Sequence, residues 1–135
     1  MKLLIDANTL LDVLQKREPH CRDSALIWKL CETEQAEGCV SALSIANLVY
    51  IMRKELSPET IEEVLGKLSL IFSIVELTPA DIAKAAEMKW TDFEDALQAA
   101  TAERIHAEAI ITRNIRDFRK SRVIAFTPAE YLARI

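Results

Sequence analysis

The sequence predicts an α/β domain, a three-layer α/β/α sandwich around a short, central, mostly parallel five-stranded sheet. Short apolar runs alternate along the chain with longer segments of helical periodicity, a pattern typical of a sheet covered by helices. The apolar runs lack the polar alternation of half-exposed strands, which indicates strands buried on both faces. Because the 135 residues contain no linker, repeat or break in composition, we expect residues 1–135 to form a single domain.

The first elements begin and end at recognisable signals. The apolar run at 3–5 ends at Asp6 and predicts the first strand. Asn8 is then expected to cap the first helix. Pro19 is expected to open the second helix, and Gly38 is expected to end it.

Similar signals mark the rest of the chain. The second strand is expected at 39–43, followed by a helix that Ser44 caps and a helix from Ser57 to about Phe72. The remaining strands are expected at 73–77, 109–112 and 123–126. The remaining helices are expected to start at Thr78, at Thr91 or Asp92, and at Thr127, with one short helical turn from Asn114.

Charge, hydropathy and cysteine content narrow the class of protein. Seventeen Lys and Arg residues against 21 Asp and Glu residues give a net charge of −4, which is unlike proteins that bind nucleic acid by bulk charge. The apolar runs fall far short of the roughly 20 residues of a spanning helix, so we expect a cytoplasmic protein without membrane association. Three widely spaced cysteines without a C-x-x-C pair argue against a zinc site.

One segment near the C-terminus is locally basic. The sequence RNIRDFRKSR contains five Lys or Arg residues and a single acid, Asp117. Such a cluster either lies on a solvated surface or binds phosphate groups, and local charge is enough for binding even in an acidic protein. Arg113, Arg116 and Arg119 are the candidates for phosphate contacts.

Acidic residues follow the carboxyl ends of two predicted strands, and two more open a predicted helix. Asp6 ends the first strand, Asp117 follows the fourth, and Asp92 and Asp95 open the helix before the fourth. In parallel sheets, ligands bind beyond the carboxyl ends of the strands. Clustered carboxylates repel one another unless a cation lies among them, and oxygen ligands favour Mg²⁺ or Mn²⁺. These acids therefore predict a site for a divalent cation.

Each acid also has a purely structural interpretation. Asp6 could cap the turn of helix that follows it, and Asp92 and Asp95 have the spacing of a capping box. Asn114 and Asp117 have the same spacing. The coincidence of all these residues at predicted strand and helix ends favours the metal site over a set of unrelated caps.

The order of several motifs resembles a PIN domain along essentially the whole chain. The motifs are LLIDAN, SALSIANLVYIMRK, DFEDALQAATA, AIITRNIRDF and FTPAEYL. The specific part is DFEDALQAATAERIHAEAIITRNIRDF, which combines an acid pair, a helix of small residues, a strand and the pattern T-R-N-x-x-D-F. The chain is similar to the small PIN proteins that include the VapC-type toxins. The resemblance implies an α/β/α fold and metal-dependent cleavage of RNA.

The resemblance also assigns roles to residues of this sequence. Asp6, Asp95 and Asp117 match the family's metal-binding acids, and Thr112 is a supporting hydroxyl. Asn114 stands where other members carry an acid. The family's Glu on the helix after the second strand is matched here by Asn47, which offers a carbonyl oxygen but no charge. Asp92 or Glu94 could compensate for the missing charge.

The resemblance implies an endoribonuclease with Mg²⁺ or Mn²⁺ as cofactor, acting as the toxin of a type II toxin–antitoxin pair. Its partners would be RNA, an antitoxin protein and a second copy of the chain. The three arginines would contact the RNA. Because Asn47 removes a charge, the alternative is a weakly active or inactive PIN-fold protein that binds RNA or a protein partner. A phosphohydrolase that uses Asp6 is disfavoured, since haloacid-dehalogenase-type enzymes carry a second Asp where this chain has Asn8.

Overall fold

A computed structural model describes all residues 1–135, and its centre is a five-stranded sheet in the order β3-β2-β1-β4-β5. The strands are β1 (Lys2–Ile5), β2 (Glu37–Ser41), β3 (Ser73–Val75), β4 (Ala109–Ile111) and β5 (Ala125–Phe126). The helices are α1 (Ala7–Leu14), α2 (Cys21–Glu32), α3 (Ala42–Met52), α4 (Pro58–Ile71), α5 (Pro79–Met88), α6 (Phe93–Arg104) and α7 (Pro128–Leu132). All four strand pairings are parallel, so the predicted architecture is confirmed.

Both faces of the sheet are covered. In β1, Leu3 and Ile5 belong to a core shared with α1, α2, α3 and α4, whereas Leu4 packs with α6 on the opposite face. Alternating side chains point to opposite faces of a strand, and all three residues are completely buried. The small side chains of Ala99 and Ala102 let α6 lie close to the sheet.

No helix is both long and apolar enough to cross a lipid bilayer.

Three predicted helix starts are confirmed by their caps. The side chains of Ser57, Thr78 and Thr127 each accept a hydrogen bond from a backbone N–H of the following helix. Each of these helices also has proline in its first turn, where the missing N–H costs nothing. These signals lie within a few residues of each helix start, so the sequence alone predicts them.

Two other helices start earlier than predicted. α1 begins directly after Asp6 instead of at Asn8, because β1 passes into the helix with no loop between them. α3 is capped by Ser41 instead of Ser44, since the Ser41 hydroxyl accepts the Ser44 N–H at 3.1 Å. The edge strands β3 and β5, which have a neighbour on one side only, are shorter than predicted.

Gly38 does not end α2, as the sequence suggested, but lies inside β2. The left-handed residue after α2 is Glu34, with φ of 61°, in the position that glycine often fills. Gly38 is required for another reason. A Cβ atom there would lie 2.6 Å from Sγ of Cys31 and 2.7 Å from Cδ1 of Phe72.

Candidate functional site

The candidate site lies at the carboxyl edge of the sheet, where β1 and β4 end side by side. Ile5 pairs with Ile111, so Asp6 and Thr112, the next residues of the two strands, are neighbours. The Asp6 N–H donates to the carbonyl oxygen of Ile111 at 2.9 Å. The Thr112 hydroxyl donates to Oδ2 of Asp6 at 2.8 Å and fixes the orientation of this carboxylate.

Asp6 sits in a strongly desolvated position. Burial raises the pKa of its carboxyl above the ordinary value, while the hydrogen bond from Thr112, a backbone contact at Ala7 and the charge of Arg113 oppose the rise. The nearby Asp117 carboxylate adds a smaller increase. Asp6 occupies the N-cap position of α1 but makes no side-chain capping bond, so its carboxylate is not used as a cap.

Asp95 is the most crowded acid of the site. Asp92 caps α6, and its Oδ1 accepts the Asp95 N–H at 3.1 Å. Burial raises the pKa of Asp95 to about 7, and repulsion from Asp92, Asp117, Asp6 and Glu94 adds to the rise. The strand ends and the start of α6 therefore place four carboxylates within electrostatic range of Asp95, and two of them, Asp6 and Asp117, are the other predicted metal-binding acids.

The loop after β4 positions the remaining predicted residues. The Thr112 hydroxyl accepts the backbone N–H of Asn114 at 3.1 Å. The N–H of Asp117 then donates to the Asn114 carbonyl at 3.0 Å and starts a 3₁₀ helix over Ile115–Phe118. Phe118 anchors this turn, since it is buried and its ring packs edge-on against Trp90, with the two ring centroids 6.2 Å apart.

Asn47 makes no hydrogen bond to Asp6. Its Nδ2 donates to Oε2 of Glu94 at 3.5 Å, so the amide links α3 to the start of α6. Glu94 also raises the pKa of Asp95 by charge repulsion. A carboxylate therefore stands next to the Asn47 position even though α3 supplies none.

The three arginines have different surroundings. Arg116 and Arg119 are exposed and line an open cleft of about 300 Å³ together with Asp92, Asp95 and Asp117. Arg113 does not line this cleft, because its Nε lies 3.2 Å from Oδ2 of buried Asp12. Sequence reasoning missed Asp12, since an acid inside the apolar run LLDVL gives no signal that it is buried.

The donor set fits a hard divalent cation by its chemistry and charge. Asp6, Asp95 and Asp117 offer carboxylate oxygens that repel one another, and a cation among them would relieve that repulsion. No three acidic side chains stand in a preformed ligand geometry. The fit therefore rests on the clustering of charge.

The crowding of Asp95 should make the metal-free protein less stable as pH rises. Asp95 titrates at about 7 in the folded protein against an ordinary value of 3.8, so the folded state holds a proton that the unfolded state has lost. The free energy of unfolding should therefore decline through this window. Urea denaturation in EDTA at about pH 5 and about pH 8 measures it. In Asp95→Asn the decline should be smaller, and an equal decline in both proteins would contradict the assignment.

Known proteins share this fold. The family model described as PIN domain matches residues 2–116. The structure of FitAcB from Neisseria gonorrhoeae has a TM-score of 0.72 and 19% identity, covering 94% of this chain and 98% of that chain. A toxin–antitoxin complex from Klebsiella pneumoniae gives a TM-score of 0.73 and 21% identity over 93% and 97% of the two chains.

A more distant similarity is to VapC20 from Mycobacterium tuberculosis, described as a sarcin–ricin loop cleaving toxin. Its TM-score is 0.64, with 11% identity over 80% of this chain and 86% of that chain. No curated protein matches the chain by sequence. At these identities the solved structures establish the fold alone.

Proposed function

The chain belongs to the PIN domain family, and we propose on this premise that it is a metal-dependent endoribonuclease that hydrolyses RNA phosphodiesters. The observation that carries the proposal is the crowding of Asp95, whose pKa is raised by burial and by four neighbouring carboxylates. An arrangement that keeps repelling acids together costs stability, and functional sites are where such costs are tolerated.

In this proposal Asp6, Asp95 and Asp117 hold Mg²⁺ or Mn²⁺. When bound, the cation would supply an activated water and stabilise negative charge on the phosphoryl group. Thr112 holds the Asp6 carboxylate in one orientation by its 2.8 Å hydrogen bond, and Asn114 fixes the Thr112 hydroxyl in turn. Asp92 supports the site as the cap that positions Asp95.

The substrate contacts in this proposal come from the cationic wall of the cleft. Arg116 and Arg119 would bind RNA phosphates on either side of the scissile bond, which gives salt-sensitive binding without sequence choice. Arg113 is engaged with Asp12, so the proposal assigns phosphate binding to the other two arginines.

The biological role we propose is that of a toxin with an antitoxin partner, in a type II pair. The similar Klebsiella pneumoniae structure supports this role, since it is described as a toxin–antitoxin complex. A homodimer is part of the same proposal. Co-expression with the product of an adjacent small gene, followed by gel filtration, would test both partners, and a monomer that binds no such product would contradict them.

The direct test is cleavage of single-stranded and structured RNA with Mg²⁺, with Mn²⁺, or with EDTA. Cleavage that depends on the metal would support the enzyme. The second candidate function, a weakly active or inactive RNA- or partner-binding protein, is favoured by the neutral Asn47. Folded protein with no cleavage and no rise in melting temperature on adding metal would favour that alternative.

Glu94 is proposed to supply the charge that Asn47 lacks. The Asn47→Glu variant should crowd Glu94, because the present hydrogen bond at 3.5 Å would become a contact between like charges. We expect metal affinity to fall in Glu94→Gln and to recover in the double variant Asn47→Glu with Glu94→Gln. Isothermal titration with Mn²⁺ measures both, and an unchanged affinity in Glu94→Gln would refute this role.

A further inference from the structure

Near Asp6 lies an ion pair with a buried carboxylate, which links three elements. Asp12 of α1 is completely buried, and Nε of Arg113 lies 3.2 Å from its Oδ2. The Ser24 hydroxyl of α2 donates to the same oxygen at 3.2 Å. The pair therefore ties the loop after β4 to the first two helices.

The pair is not an optimised structural contact. Oδ1 of Asp12 has no hydrogen-bond partner, and Nε of Arg113 is not aligned for a hydrogen bond despite its distance. Burying the Asp12 carboxylate costs more than a single misaligned contact to the half-buried Arg113 returns, and an unpaired buried oxygen adds to the cost. Stability alone therefore gives a poor reason for this arrangement.

The position of Arg113 suggests what the pair does. It is the residue after Thr112, whose hydroxyl orients Asp6, and it precedes Asn114, whose N–H fixes that hydroxyl. Its guanidinium carries a fixed positive charge close enough to Asp6 to lower the pKa of that carboxyl. A divalent cation beside Asp6 would experience the same charge as repulsion.

We propose that Asp12 is a positioning residue of the metal centre, which holds Arg113 away from the cation and offsets its positive charge. This inference rests on the proposed function, because it assumes a cation bound at Asp6. Without the Asp12 carboxylate, the uncompensated guanidinium weakens cation binding. Without the guanidinium, the centre is more negative and binds the cation more tightly.

Substitutions of Asp12 and of Arg113 should therefore change metal affinity in opposite directions. We expect Asp12→Asn to weaken Mn²⁺ binding about tenfold and Arg113→Gln to tighten it by a similar factor. The double variant should bind within about twofold of the wild type, since no net charge is added or removed. Isothermal titration with Mn²⁺ alone, without RNA, measures the dissociation constants, and thermal melting checks that each variant is folded.

A second ion pair with a buried carboxylate provides a matched control. Asp81 is 2% exposed, and the Arg104 Nε lies 2.9 Å from its Oδ1, at the end of α6 remote from Asp95. Asp81→Asn should lower the melting temperature without changing Mn²⁺ affinity. A purely structural role for Asp12 predicts the same behaviour for Asp12→Asn and Arg113→Gln, and that result would overturn the proposal.

Further outcomes separate this inference from the proposed function. Wild-type protein that binds no Mn²⁺ refutes the metal centre and the inference together. Wild-type binding with shifts in the same direction in both single variants refutes the inference alone. If Asp12→Asn does not fold, Arg113→Gln alone tests the proposal, because unchanged or weaker Mn²⁺ binding in that variant overturns it. Arg113→Lys, which keeps the charge, should retain an affinity close to that of the wild type.

Discussion

Replacing Asp6 by Asn is expected to reduce metal-dependent RNA cleavage by about a thousandfold or more, with the domain still folded. The substitution keeps the shape and the acceptor oxygen that Thr112 can reach at 2.8 Å, but removes the charge that would hold the cation. Asp95→Asn should have an effect of the same size. Initial rates of cleavage of a single-stranded RNA in Mn²⁺ measure both.

Two controls make the result interpretable. Asp23→Asn removes a carboxylate from the first turn of α2, outside the candidate site, and should cleave at the wild-type rate. Asp6→Asn should not lower the melting temperature in EDTA, because burial raises the pKa of Asp6 and its charged form is unfavourable there. Wild-type cleavage by Asp6→Asn would show that the carboxylate cluster is not the catalytic centre.

Replacing Gly38 by Ala is expected to lower the free energy of unfolding by about 1–3 kcal/mol, the usual cost of overpacking a core. The added methyl group would meet the Cys31 sulfur at 2.6 Å and the Phe72 ring at 2.7 Å. Both neighbours are themselves buried and have little room to move. Gly38→Val should be more severe and should prevent accumulation of folded protein.

The other glycine of the chain provides the control for this prediction. A Cβ atom at Gly66 meets no atom within 4 Å, and Gly66 lies inside α4. Gly66→Ala should therefore stabilise the protein by up to about 1 kcal/mol, through higher helix propensity. Urea denaturation measures both variants, and equal stability of Gly38→Ala and the wild type would contradict the packing described around β2.

The fold could be predicted because its signals are local. A cap such as Ser57 or Thr78 and the short apolar strands are visible within a few residues, and the alternation of strands and helices indicates a parallel sheet. Gly38 was misinterpreted because its role depends on Cys31 and Phe72, which are distant in sequence or in another element. No local pattern carries that information.

The candidate site was predicted in part for the same reason. Asp6 and Thr112 end adjacent strands, so their meeting follows from the topology. Asp12 was missed because its partner Arg113 is reached only through the folded structure. The contact between Asn47 and Glu94 was equally inaccessible, since spacing alone cannot show which helix end approaches which.

The central position of β1 has a consequence for synthesis of the protein. Asp6 leaves the ribosome before the threonine that orients it, which follows 106 residues later, and before Asp117. A nascent chain that has not yet released β4 and the 3₁₀ helix after it lacks both of these residues. The complete carboxylate cluster can therefore form only after that segment has left the ribosome.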